Sequence, residues 1–214
     1  MFRLPPFLAR QALVLTAGAS FLFLLTWTQP AGSARVEAVP APSLAGRFLV
    51  AARGMRDPNF ARTVIYMVQH DETGALGLVI NRPLGEMPLS QVMTGLGLKG
   101  EGMEGSLRVH AGGPVEPNQP FLLHSSDVVV EQSMIVSQGV AVTSDPEILH
   151  RIGEGAGPRQ ALLVLGYSGW APGQLEAEMA RGDWGDVASD QAVVFDRDHE
   201  TKWERTIQRF SIDL

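Results

Sequence analysis

The sequence predicts an α+β domain with a mixed, largely antiparallel sheet. Three observations lead there. Short β-rich runs and amphipathic helical segments are intermingled rather than alternating as regular βαβ units. Residues 63–69 (TVIYMVQ) and 75–81 (ALGLVIN) flank His70-Asp71-Glu72-Thr73-Gly74, a hairpin signal with glycine in its loop. No internal repeat is present.

The chain has 214 residues, 45% hydrophobic and 19% charged, an ordinary balance for one globular domain. A domain of about 170 residues buries roughly 70% of the surface its unfolded chain exposes, so it needs no covalent staple. None is available, because there is no cysteine. That excludes disulfides, iron–sulfur clusters, thiolate zinc sites and a cysteine nucleophile. The formal net charge is −6, and the only lysines are Lys99 and Lys202. Nucleic-acid binding draws most of its affinity from clustered Lys and Arg that neutralise phosphates, so no nucleic-acid partner is expected.

Residues 1–34 read as a secretory leader or membrane anchor. Arg3 and Arg10 precede an apolar run over 12–27, and a small, polar stretch follows. Cleavage is expected after Ala34 or after Ala38. The run is shorter than the ~20 residues that comfortably span a bilayer, which favours a cleaved signal. Membrane attachment through residues 12–27 and a start codon set too far upstream are the alternatives. The leader implies a periplasmic or inner-membrane-anchored protein. Residues 35–43, with Pro40 and Pro42, form an extended linker, and 44–214 form the domain.

Within the domain, 47–53 (RFLVAAR) is a first strand and Asp57-Pro58-Asn59-Phe60 a turn preset by Asx and Pro. Pro83 ends the second hairpin strand, lacking a ladder donor. Residues 89–98 form a helix weakened by Gly95 and Gly97, and 99–105 a loop. Residues 107–110 and 121–124 are short strands beside Ala111-Gly112-Gly113-Pro114, a sharp turn that needs glycine's freedom. Residues 128–130 and 139–143 continue the β content. Ser144 with Glu147 forms a capping box that opens a helix to Ile152, ended by Gly153 and Gly155. The run 161–165 (ALLVL) is the most buried strand, and 166–170 (GYSGW) a loop. Pro172 suits a first helical turn, with Leu175 and Met179 as an i, i+4 apolar pair. Residues 193–195 are a last strand, and 199–210 a closing helix with Trp203, Ile207 and Phe210 on one face.

No motif assembles a catalytic centre. His110 and His124 end strands on either side of the Gly-Gly-Pro turn, and convergence there would make a histidine-centred enzyme site the alternative reading. His70 starts a hairpin turn, whereas His150 and His199 are expected in solvent. There is no His-x-x-x-His or His-x-His pair, so neither metal nor cofactor is expected. Gly166-Tyr167-Ser168-Gly169-Trp170 misses the nucleophile-elbow register by one residue and lacks a phosphate-loop pattern. Glu176 and Glu178 diverge on a helix.

Taken together, several segments resemble the YqgE/AlgH family: Gly54-Met55-x-Asp57-Pro58-x-Phe60, Val64-Ile65-Tyr66 through His70, Gly77-Leu78-Val79-Ile80-Asn81-Arg82-Pro83, Gly112-Gly113-Pro114-Val115, Phe121-Leu122-Leu123-His124, and Leu165-Gly166-Tyr167-x-Gly169-Trp170-x-Pro172-Gly173-Gln174-Leu175. The resemblance spans residues 44–210. It implies an α+β fold whose sheet is bent into a barrel-like core covered by helices. Family members are mostly of uncharacterised activity and chiefly cytosolic; some carry the name of transcriptional regulators, which this acidic chain does not support. The departures are Arg53 in place of proline, Gln119-Pro120 in place of Arg-Gly, and Gly185 in place of an apolar residue. The resemblance carries over no catalytic residue. The functional expectation is therefore a non-enzymatic binding or regulatory module for a protein or small-molecule partner. Its ligand contacts are expected near His70, Asn81, Arg82, His110, Gly112, Gly113 and His124.

Overall fold

The computed structural model describes residues 42–212, with side chains to Arg209. The leader, most of the linker and the position of the Phe210 side chain lie outside the described residues. No helix among those described is long and apolar enough to cross a membrane.

Ten strands and five helices follow one another in the described chain. They are β1 (Arg47–Ala51), β2 (Val64–Asp71), β3 (Gly74–Val79), β4 (Pro83–Pro88), α1 (Leu89–Gly95), β5 (Ser106–Ala111), β6 (Val115–Ser125), β7 (Met134–Ser137), β8 (Val140–Thr143), α2 (Glu147–Gly153), β9 (Ala161–Trp170), α3 (Gln174–Ala180), β10 (Trp184–Ala188), α4 (Gln191–Phe195) and α5 (His199–Ile212). The strands join in the order β10-β1-β2-β3-β9-β6-β8-β7, with β4 and β5 branching from β9. The sheet curls into a half-barrel. Every pairing is antiparallel except that of β5 with β9.

Strand β9 organises the fold. One edge carries β6 along most of its length; the other carries β5 at Leu163–Leu165 and β3 at Ser168–Trp170. The chain leaves β5, crosses over β9 through Gly112-Gly113-Pro114, and returns on the opposite edge at Val115, which pairs with Tyr167. Backbone lies on backbone at this crossing. A Cβ on Gly112 would overlap the Gly166 carbonyl, and one on Gly113 (φ +153) would overlap the Tyr167 carbonyl. Gly166 (φ +74) meets the crossing from below. Only glycine supplies both the conformation and the clearance.

The two sheet faces alternate along each strand, as a period of two requires. On one face Leu107, Val109, Leu122 and Leu163 pack under Leu89, Val92 and Met93 of α1 and Ile148 and Leu149 of α2. A second cluster joins Leu49, Ile65, Met67 and Val79 to Trp170, Leu175 and Trp184. Each fully buried Leu or Ile side chain contributes about 1.5–3 kcal/mol, so these two clusters hold the helices to the sheet.

Several sequence expectations are corrected. Residues 166–170 are not a loop; they extend β9, where Ser168 is buried and its Oγ donates to the Gly112 carbonyl. Residues 193–195 are helical, because the Asp190 carboxylate accepts the Ala192 N–H and caps a turn; three apolar residues cannot distinguish a period of 2 from one of 3.6. Residues 128–130 form no strand. The helix from Glu147 is not capped by Ser144: Asp145 Oδ1 accepts the Glu147 N–H at 3.0 Å. Strands β4, β7 and β10 are additional; β4 is exposed throughout, and β7 has no fully buried residue.

Candidate functional site

The sequence candidates are bound into the scaffold. His70 belongs to β2 rather than to a turn. Its Nδ1 accepts the Leu44 N–H at 3.0 Å, which fixes the tautomer, so Nε2–H donates to Glu176 Oε1 at 2.8 Å. Ser43 Oγ donates to the His70 carbonyl at 2.7 Å, and the start of the domain is thus stapled to the sheet. Glu176, also bonded to its own backbone N–H, is held below the usual carboxylate range.

Asn81 acts as a surrogate peptide. Its Oδ1 accepts the Val64 N–H (2.9 Å) and its Nδ2 donates to the Arg62 carbonyl (2.9 Å). Arg82 donates to the carbonyls of Pro58 and Ala61 at 2.8 and 3.3 Å. Together they clamp the Asp57 turn, in which Arg62 adopts a left-handed φ of 59°. Gly112 and Gly113 form the crossing over β9.

His110 and His124 do not converge. His110 is opposite Val164 of β9, and His124 is opposite Ala161 across the other edge. Three residues separate those partners, about 10 Å of strand, and an odd offset turns the two imidazoles to opposite faces. The paired site is therefore absent from this fold. His124 is fully buried; its Nδ1–H donates to the Ser125 carbonyl at 3.0 Å, and its Nε2 has no partner. Burial lowers its pKa.

His110 instead meets groups the sequence reading did not single out. His199 is half-buried rather than in solvent, and its ring stands edge-on to His110 with centroids 4.5 Å apart. Neither His110 nitrogen has a hydrogen-bond partner by geometry, nor does His199 Nδ1. Lys202 is fully buried, its Nζ donating to the carbonyls of Ile80, Val194 and Asp196 at 3.3, 3.4 and 3.1 Å. Arg108 donates to the carbonyls of Phe195 and Asp196. The two cations thus satisfy carbonyls left open at the end of α4.

Burial, then the neighbouring His199, Lys202 and Arg108, push His110 down to about 3. Burial pushes the Lys202 amine down to about 8, and His199 also falls through burial and the same cations. The cluster holds a neutral imidazole pair beside a weakened ammonium, an arrangement that repels cations. His110 itself has no exposure to solvent, whereas His199 is half-buried. Among the described residues no group of three or more His, Asp or Glu side chains is placed to hold a metal.

An open concavity lies on the opposite face. A cleft of about 290 Å³ is floored by Leu122 and Leu163, walled by Leu96, Leu98, Pro120, Ile148 and Leu149, and rimmed by Thr143, Ser144 and Asp145. Its floor comes from the sheet; its walls come from α2, from Pro120 of β6 and from Leu96 and Leu98 just beyond α1, the two helices being too short to cover the strands completely.

The described chain defines a class of half-barrel domain crossed by a glycine arch, with His70 stapling the start of the domain to the sheet. An AlgH-like family model matches residues 48–214, and the chain belongs to that family. It is 40% identical over 179 residues to a UPF0301 protein of Afipia carboxidovorans, covering 80% of this chain and 85% of that one. A UPF0301 protein of Methylococcus capsulatus is 41% identical over 175 residues, with coverage of 81% and 93%. The solution structure of the AlgH protein from Pseudomonas aeruginosa matches with a TM-score of 0.66 at 36% identity, covering 81% of this chain and 91% of that one. The family's molecular function is unknown.

Proposed function

We propose that this chain is a non-enzymatic binding module of regulatory type, and that its ligand occupies the cleft between α1, α2 and the strands β6 and β9. One contrast carries the reading. His70, Asn81, His110 and His124 are occupied in internal bonds or sealed from solvent, whereas the cleft is open, floored by leucines and edged by polar groups. Apolar concavities with a few convergent polar groups are the usual form of a small-molecule site. At about 290 Å³ the cleft is at the lower end of the usual range of roughly 300–1,000 Å³, so the ligand is small. The acidic charge favours a small-molecule or protein partner over a nucleic acid. The apolar leader supports delivery to the periplasm or the inner membrane.

The test uses the full chain purified gently from its own cell. Native mass spectrometry should show a retained small molecule, and N-terminal sequencing should read a start near Arg35 or Val39. Methyl resonances of Leu122, Leu163 and Ile148 should shift when that molecule is added back. A chain that retains nothing, and whose cleft methyls respond to no member of a fragment screen, would refute the reading.

A further inference from the structure

We infer that the cleft selects small amphiphilic amines, seating an apolar body on Leu122 and Leu163 and a protonated amino group at Asp145. This inference rests on the binding-module reading and adds the ligand's chemical class.

The floor and walls are hydrocarbon and can recognise only shape and apolar area. Selectivity must therefore come from the rim, where three polar side chains stand. The Thr143 hydroxyl is already engaged: it donates to the Gln132 carbonyl and accepts the Asp145 N–H at 3.0 Å. Ser144 is exposed, and its hydroxyl is in no hydrogen bond among the described residues. Asp145 is half-buried; one carboxylate oxygen accepts the Glu147 N–H at 3.0 Å. No Arg, Lys or His among the described residues forms an ion pair with it. Asp127, by comparison, is matched with Arg159 at 3.1 Å.

A half-buried carboxylate with an open oxygen, next to a free hydroxyl and above an apolar floor, is complementary to an ammonium donor. It repels carboxylates and phosphates. A neutral alcohol satisfies the hydroxyl but leaves the charge unmatched. Volume sets the body: at about 30 Å³ for each water-sized group, the cleft accommodates on the order of ten non-hydrogen atoms.

The experiment compares three probes of closely similar size on the full chain: 2-phenylethylamine, 2-phenylethanol and phenylacetate. Binding is followed by methyl shifts of Leu122 and Leu163 and by calorimetry at pH 7. The amine should bind at least tenfold more tightly than the alcohol, and the acid more weakly than either. Asp145→Asn retains the oxygen that accepts the Glu147 N–H, so the start of α2 is preserved. In that variant amine affinity should fall to the level of the alcohol while alcohol binding stays as it was. Leu98→Trp, which narrows the cleft from its wall, should weaken amine and alcohol alike.

Equal binding of amine and alcohol, or indifference of the amine to Asp145→Asn, would overturn the amine assignment and leave the binding module intact. A cleft whose methyls respond to none of the three probes would count against both. Sedimentation showing that a probe dissociates a dimer would assign the cleft to a second copy of the chain, which also overturns the inference.

Discussion

Acidification should weaken this fold through His110, and the size of the loss can be worked from its surroundings. The ring has no solvent exposure, faces His199, Lys202 and Arg108, and has its pKa pushed from 6.5 down to about 3. An unfolded imidazole takes up a proton near pH 6.5, whereas the folded one refuses it until about pH 3. The unfolded state therefore binds more protons across that window, and stability rises with pH within it. Above pH 6.5 His110 removes nothing. Each unit below removes about 1.4 kcal/mol, so His110 accounts for about 2 kcal/mol by pH 5 and about 5 kcal/mol by pH 3. His199 and His124, both lowered by burial, add losses of the same sign. Urea unfolding followed by tryptophan fluorescence at several pH values gives the slope. His110→Phe keeps a ring in place and removes the titration. Between pH 7.5 and pH 5 the unsubstituted protein should lose about 2 kcal/mol more than this variant. Depressed carboxylates elsewhere, such as Asp71 and Asp196, are common to both proteins and cancel in the difference. Parallel stability curves for the two would refute the assignment.

Lys202 should titrate near pH 8 rather than near 10.5, visible as an inflection in the NMR shift of its Cε carbon; an inflection above pH 10 would mean that the amine reaches water. Lys202→Met leaves the carbonyls of Ile80, Val194 and Asp196 without their donor and should cost about 1–3 kcal/mol in urea unfolding. Gly113→Ala should prevent folding or destabilise severely, because its methyl overlaps the Tyr167 carbonyl. Gly85→Ala, whose methyl meets open space, should cost only backbone strain of about 1–3 kcal/mol; similar losses at the two positions would undo the crossing argument. His70→Ala removes the acceptor for the Leu44 N–H and the donor to Glu176. It should cost about 1–2 kcal/mol and speed amide exchange at Leu44, and unchanged exchange there would rule out the staple.

The first hairpin was legible because its evidence is local. Two β-rich runs around a glycine-bearing turn specify β2 and β3 within a residue or two. The Asp57 turn forms as its side chain dictates, Asp57 accepting the Asn59 N–H at 2.8 Å. The Gly-Gly-Pro motif announced a position where no side chain fits, but not that a third strand lies beneath it. Residues 193–195 and 166–170 were misread for one reason: short apolar or glycine-punctuated stretches take the period of whatever they pack against. The histidines were misplaced because a strand-end imidazole carries no local sign of which sheet face it joins. That is decided by register, and one residue of offset reverses it.

Turn chemistry, hydrophobic periodicity, the lack of cysteine and the family motifs are properties of neighbouring residues, so an α+β domain with a largely antiparallel sheet follows from the chain alone. The meeting of His110 with His199 and Lys202 does not, because those side chains lie some ninety positions apart. Only the packing of the closing helix against β10, β1 and β2, with Lys202 set between Ile80 and the end of α4, removes the lysine from water. Likewise the cleft exists because two seven-residue helices leave part of a curled sheet uncovered, and curvature is a sum over all the strands that no single segment encodes.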